Sequence, residues 1–191
     1  MALEIIPTAL PEVRIIKPQV FGDPRGFFIE TFHALKYRAA GIDEIFVQDN
    51  HSHSTRNVLR GLHYQLRKPQ TKLIMVTRGA IFDVAVDIRR GSPTFGRWVG
   101  ETLSDENHRQ FLVPRGFAHG FCVLTPEVDV LYKCTDLYDP SDDRGILWSD
   151  PDIGIAWPIE SPALSGKDQR HPRLRDAAAD SVQAWKTAVG P

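Results

Sequence analysis

Apolar and polar residues alternate along most of the chain in short runs separated by Gly, Pro and Asp. VRIIKPQVF, RGFFIETF, EIFVQDNH, VLRGLHYQL, TKLIMVTRG, AIFDVAVDI, RWVGETLS, RQFLVPRG, HGFCVLT, VDVLYKCTD and GILWSD each read as a strand. So many short strands predict a mainly β chain folded as a sandwich or jelly roll. Helical periodicity is confined to residues 31–40 (TFHALKYRAA), stopped by Gly41, and more weakly to residues 175–186. From about residue 160 the chain turns polar and proline-punctuated, and the core is expected to end near there.

Strand parity assigns faces within these runs. In AIFDVAVDI, Phe82, Val84, Val86 and Ile88 share an apolar face, which turns Asp83, Ala85 and Asp87 toward solvent or a cavity. Tyr132 shares parity with Val130 and Cys134, so its ring starts in an apolar wall and its hydroxyl needs a partner. LRGLHYQL breaks the pattern: strict alternation sends Arg60 and His63 to opposite faces, with Gly61 between them. Glycine inside a strand marks either a bulge that turns both side chains to one site or a barrel corner that relieves crowding.

At 191 residues and 42% hydrophobic content the chain is long enough for one domain with a substantial core. A net charge of −1, with both signs mixed, supplies no field to attract nucleic acid or an anionic membrane. No run approaches the roughly 20 apolar residues of a membrane span, and MALEIIPTALPEV has no leader-like pattern, so a cytoplasmic protein is expected. Cys122 and Cys134 both lie in apolar runs, which suits buried reduced thiols.

His51 and His53 have the H-x-H spacing that puts two imidazoles on one strand face, but no carboxylate follows within the next few residues. Pro114, Gly116 and His119 form P-x-G-x-x-H, which resembles the second motif of cupin domains. The matching first motif would be His63-Tyr64-Gln65, with glutamine in place of its second histidine. The expectation is a cupin-like scaffold with no metal. The remaining groups are His63, Lys72, His119, Tyr132, Asp83 and Asp168, a set suited to proton abstraction beside a carbonyl: imidazole base, enolate-stabilising cation, phenol acid. Singly, each also has a structural reading, Lys72 as a solvated strand end, Tyr132 as core and Asp168 as a cap. Arg25 and Arg60 can hold a phosphate, or pair locally with Asp23 or Glu30. No Walker sequence and no G-x-G-x-x-G occurs, which argues against nucleoside triphosphate hydrolysis and a nicotinamide cofactor.

Together GDPRGFFIETF, FVQDNHSHS, VLRGLHYQL, FDVAVDIRRGSPTFGRWVG, VPRGFAHGFCVL, VLYKCTDLYDP, RGILWSDPDIGIAWP and LSGKD resemble, in order, the dTDP-4-dehydrorhamnose 3,5-epimerase family. The resemblance implies one cupin-type jelly-roll domain over residues 1–176 and a variable tail over 177–191. It implies a cofactor-free enzyme that inverts C3 and C5 of dTDP-4-dehydro-6-deoxy-D-glucose for dTDP-L-rhamnose synthesis. On the matching positions His63 would be the base, oriented by Asp168, and Tyr132 the acid. Lys72 and His119 would lie by the enolate oxygen, with Asp83 behind His119. Arg25, Glu30, Gln48, Asn50, Arg60, Asp143 and Lys167 would bind the dTDP-sugar, and Tyr138 would stack near the thymine. A homodimer with exchanged N-terminal strands is implied, Phe21 reaching the partner's site. His53 stands where many relatives carry lysine, and Asp143 where others carry glutamate. Three rivals remain: a relative that epimerises one carbon or moves the ketone, a non-catalytic nucleotide-sugar-binding module, and a metal-dependent cupin using His51, His53 and His119.

Overall fold

The computed structural model describes residues 3–177. Two antiparallel sheets face each other. The first, of six strands, contains β1 (Glu4–Pro7), β2 (Arg14–Lys17), β5 (Gln48–Thr55), β7 (Lys72–Arg78), β10 (Gln110–Val113) and β12 (Glu127–Cys134), in the spatial order β1-β2-β10-β7-β12-β5. The second, ordered β13-β6-β11-β8-β9, contains β6 (Leu59–Gln65), β8 (Ala80–Asp87), β9 (Trp98–Ser104), β11 (Phe117–Val123) and β13 (Asp143–Gly145). A separate hairpin of β3 (Val20–Asp23) and β4 (Gly26–Ile29) stands apart from both, and one short helix, α1, spans Ala34–Ala39. This is the expected jelly-roll sandwich.

The period of two divides the apolar residues into three layers. Between the sheets lie Ile15, Ile74, Val76, Phe111, Val128 and Val130 from one side and Ile81, Ala85, Leu103, Phe121 and Val123 from the other. Neighbours of opposite parity face outward and are covered. Leu62, Tyr64, Val84 and Val86 pack under Ile146, Ile153 and Leu174 of the C-terminal segment, while Ile16, Leu73 and Leu112 pack under Tyr37 of α1 and Ile42. The split of β8 follows the sequence pattern, and the ambiguity about its polar face resolves inward. Asp83 and Asp87 are both 0% exposed. Asp87 takes hydrogen bonds from Arg89, Ser92 and Thr94, which hold its carboxyl below the usual range although burial pushes it up.

Several sequence expectations need correction. VRIIKPQVF is two strands, broken where Pro18 has no N–H to donate. EIFVQDNH starts pairing only at Gln48, because Phe46 packs with the α1 layer. GILWSD is not a strand: β13 ends at Gly145, and Asp150 ties the segment into turns by accepting from the backbone amides of Asp152 and Leu174. β1 lies outside the strands that the sequence pattern predicts. The helix is shorter than residues 31–40, since the Thr31 carbonyl accepts from the Tyr37 hydroxyl and Gln110 instead of opening a helical ladder. The helix expected over 175–186 lies mostly outside the described residues, within which Leu174–Asp176 is a single 3-10 turn.

β6 contains the bulge. His63 pairs with His119 and Arg60 with Phe121, so β6 carries one residue more than β11 between the two pairs. His119 and Phe121 share a face, and therefore so do His63 and Arg60. Gly61 has φ +131°, and a Cβ there would lie 2.5 Å from the Cα of Gly120 and 2.9 Å from the His119 carbonyl oxygen. Only paired glycines let these backbones approach so closely. Gly61→Ala is therefore expected to destabilise the protein by about 2 kcal/mol or more, read as a lower midpoint in urea unfolding with an unchanged slope.

Candidate active site

The register of the strands arranges inner-face residues in rows across each sheet. In the six-stranded sheet Val130 pairs with Ser52 and Val76, Tyr132 with Asn50 and Ile74, and Cys134 with Gln48 and Lys72. The inner face thus passes from apolar to polar at one end of the sandwich. On the opposite wall His63, His119 and Ala85 form a row, followed by Arg60, Phe121 and Asp83. Between these polar ends opens a cavity of about 300 Å³ lined by Gln48, Asn50, His63, Lys72, Tyr132 and Asp143, among others.

His63 is held from behind. Its Nε2 lies 2.6 Å from Oδ1 of Asp168, a residue buried in a short 3-10 turn. A carboxylate can only accept, so Nε2 carries the proton and Nδ1 is left with a lone pair. Burial lowers the His63 pKa below its ordinary value and outweighs the upward pull of Asp168. Burial alone would raise the Asp168 carboxyl, but His171 and His63 hold it far below the carboxylate range. The pair therefore rests as neutral imidazole and carboxylate.

The other polar groups differ in how fully they are satisfied. Lys72 has no carboxylate within ion-pair distance among the described residues, and burial depresses its pKa. Tyr132 sits on the wall opposite His63, where burial raises its phenol and keeps it protonated. His119 donates to Asp83 at 2.6 Å, both groups buried. Arg60 crosses the sandwich to the Ser54 hydroxyl at 3.0 Å and the His53 carbonyl at 3.2 Å. Gln48 donates to Asn50 and accepts from the Tyr138 amide. The Tyr138 hydroxyl donates to Asp143, which also meets Lys167.

Gln48, Asn50, His63, Lys72, Tyr132, Tyr138 and Asp143 thus line one cavity, with Asp168 and Lys167 bonded to its wall. Arg60, His119 and Asp83 do not line it but stand in the same and the next row of strand pairs as His63. Phe21, Arg25 and Glu30 lie elsewhere. They belong to the projecting N-terminal segment, where Arg25 pairs with Asp23 at 2.6 Å and Glu30 with Lys36 at 2.7 Å. His51 and His53 point from the outer face of β5 toward Asp129, at 3.0 and 3.1 Å, whereas His119 faces the interior. These three histidines cannot form one metal site. Sequence reasoning gave no role to Gln65, whose parity with His63 was visible. Its amide donates to the Leu137 carbonyl and its oxygen accepts from the Asp139 amide, pinning the loop that carries Tyr138. It also passed over Gln70, a cavity-lining residue, and His171.

A family model described as dTDP-4-dehydrorhamnose 3,5-epimerase matches residues 7–176. The dTDP-4-dehydrorhamnose 3,5-epimerase of Shigella flexneri is 53% identical over 92% of this chain and 98% of its own length. That of Neisseria gonorrhoeae is 55% identical over 87% of this chain, a stretch that spans only 51% of that longer relative. A crystal structure of a dTDP-6-deoxy-D-glucose-3,5-epimerase from Legionella pneumophila, in complex with dTDP-4-keto-L-rhamnose, superposes with a TM-score of 0.94. It is 50% identical, covering 96% of this chain and 99% of that one. With the jelly roll, the motifs and the cavity in agreement, the chain belongs to the dTDP-4-dehydrorhamnose 3,5-epimerase family.

Proposed function

We propose that the cavity inverts C3 and C5 of dTDP-4-dehydro-6-deoxy-D-glucose, yielding dTDP-4-dehydro-L-rhamnose, with His63 as base and Tyr132 as acid. One observation carries the reading: a neutral, carboxylate-held imidazole and a protonated phenol face each other from opposite sheets across one cavity. The C4 ketone acidifies the hydrogens of both neighbouring carbons. His63 Nδ1 takes a proton, and the electron pair moves to O4 as an enolate. Lys72, which makes no ion pair among the described residues, and His119 stabilise that oxygen. Tyr132 returns a proton from the other face, which inverts the carbon. Every electron that leaves a C–H bond returns to one, so the reaction is redox-neutral and these side chains suffice for it.

Arg60, Gln48, Asn50, Tyr138, Asp143 and Lys167 hold the nucleotide end, Arg60 through charge-assisted bonds to the diphosphate. Phe21, Arg25 and Glu30 serve the site of a second copy, in a homodimer whose N-terminal strands exchange. The exposure of Phe21 (46%), Phe27 (63%) and Phe28 (67%) on the hairpin supports this, since so much aromatic surface on a projecting arm is suited to burial against a partner.

Incubation with substrate in D₂O is expected to place deuterium at both C3 and C5, read by NMR. Label at one carbon would indicate a mono-epimerase; no label with binding retained would indicate a binding module. His63→Ala should lower turnover by about 10²- to 10⁴-fold while calorimetry still detects dTDP-sugar binding.

The depressed His63 pKa has a definite sign. The base is active when neutral, so kcat/KM should hold as pH falls to 6.5 and decline only below the depressed value. Asp168→Asn removes the group that pulls this pKa up, so NMR titration should find His63 protonating at still lower pH.

Mixing Arg25→Ala and His63→Ala proteins, each impaired alone, should raise activity above that of either, because an exchanged heterodimer regains one intact site. Failure to complement, with heterodimers demonstrated, would place Arg25 in its own chain's site.

A further inference from the structure

The reaction leaves one buried side chain beside the base without a part. His171 follows the 3-10 turn of Asp168, and its side chain is only 9% exposed. Its ring stands edge-on to that of His63, centroids 5.7 Å apart. The ring fits against bare backbone, since a Cβ on residue 145 would come within 2.3 Å of the His171 Nε2. That nitrogen is buried and, apart from a long contact with the Asp168 carboxylate, makes no hydrogen bond. It lies 3.5 Å from Oδ1 of Asp168, the same oxygen that receives the His63 proton at 2.6 Å. The three donor atoms fall within 4.8 Å of one another.

Two imidazoles and a carboxylate are a donor set favoured by borderline divalent ions, which leave a further position open to solvent. Donor atoms about 2 Å from a tetrahedral ion stand about 3.3 Å apart. The Asp168–His171 pair already has nearly this spacing, and the His63–Asp168 pair needs to open by less than an ångström as an ion replaces the shared proton. We propose that His63, Asp168 and His171 form a binding site for a divalent transition-metal ion of the Zn²⁺ class, and that the bound ion arrests the epimerase.

The arrest follows from the tautomer, and it rests on His63 being the base; the binding does not. With an ion on Nε2, the displaced proton moves to Nδ1. The imidazole stays neutral and no net proton is released, but the nitrogen facing the cavity can now only donate. Such a site regulates turnover by metal availability without touching the nucleotide pocket.

The test is a Co²⁺ titration of the chelator-treated full chain, followed by visible d–d absorption. A band saturating at one ion per chain is expected, displaced by Zn²⁺. His171→Ala should weaken binding about tenfold or more. So should His171→Phe, which keeps a ring against Gly145 and guards against loss of packing. A His51→Ala/His53→Ala double variant should leave the band unchanged. Zn²⁺ should inhibit turnover of the unaltered protein reversibly to chelator, and about tenfold less effectively in His171→Phe. A band indifferent to both His171 variants, or abolished by the His51/His53 double variant, overturns the site. A His171-dependent band with full turnover at saturating Zn²⁺ overturns the arrest, and with it the assignment of His63 Nδ1 as base.

Discussion

Everything at the active site depends on a backbone contact that has no side chains in it. β6 and β11 approach at Gly61 and Gly120 so closely that a methyl group on either would collide with the other strand's main chain. The extra residue of β6 is accommodated there. Without it, alternation would put either the arginine or the histidine of that strand on the outer face, under the C-terminal covering layer. The bulge thus turns Arg60 and His63 to the same inner face, across the sandwich from the sheet that carries Tyr132.

The polar end of the sandwich is tolerable because few of its groups are left idle. Asp83 is matched to His119, Gln65 to the loop before β13, and Asn50 to Gln48 and the Cys134 sulfur. Among the described residues the buried Ser52 hydroxyl, one Asp83 oxygen and His171 Nε2 lack hydrogen bonds, while Lys72 and the Tyr132 hydroxyl line the cavity, where a substrate would engage them. Unspent hydrogen-bonding capacity is costly in a buried site, and its retention there fits a polar ligand rather than a packing role.

Much of this was legible in the chain. Parity placed Val84 and Asp83 on opposite faces of β8, aligned Tyr132 with Cys134, and exposed the conflict in LRGLHYQL that only a bulge or a corner resolves. Pairing of distant strands was not legible from pattern. Nothing local links His63 to Asp168, and that partnership came from family resemblance alone. His171 sits in a polar, proline-rich stretch that gives no sign of burial. EIIP is only four residues long and ends in proline, too short for alternation to register. GILWSD looks like a strand because its apolar residues cover the outer face, yet the Asp150 carboxylate captures the backbone amides a ladder would use.

His63 and the carboxylate that holds it, Asp168, lie 105 residues apart in the chain. His63 belongs to the sandwich proper, while Asp168 arrives on the segment whose Ile146, Ile153 and Leu174 cover the outer face of the five-stranded sheet. The orientation of His63 is therefore a matter of docking as well as of folding. During synthesis both sheets can form before residue 168 has emerged, giving a sandwich whose His63 has no carboxylate behind it. The setting of that imidazole is thus decided by the segment that closes over the outer face of the sheet.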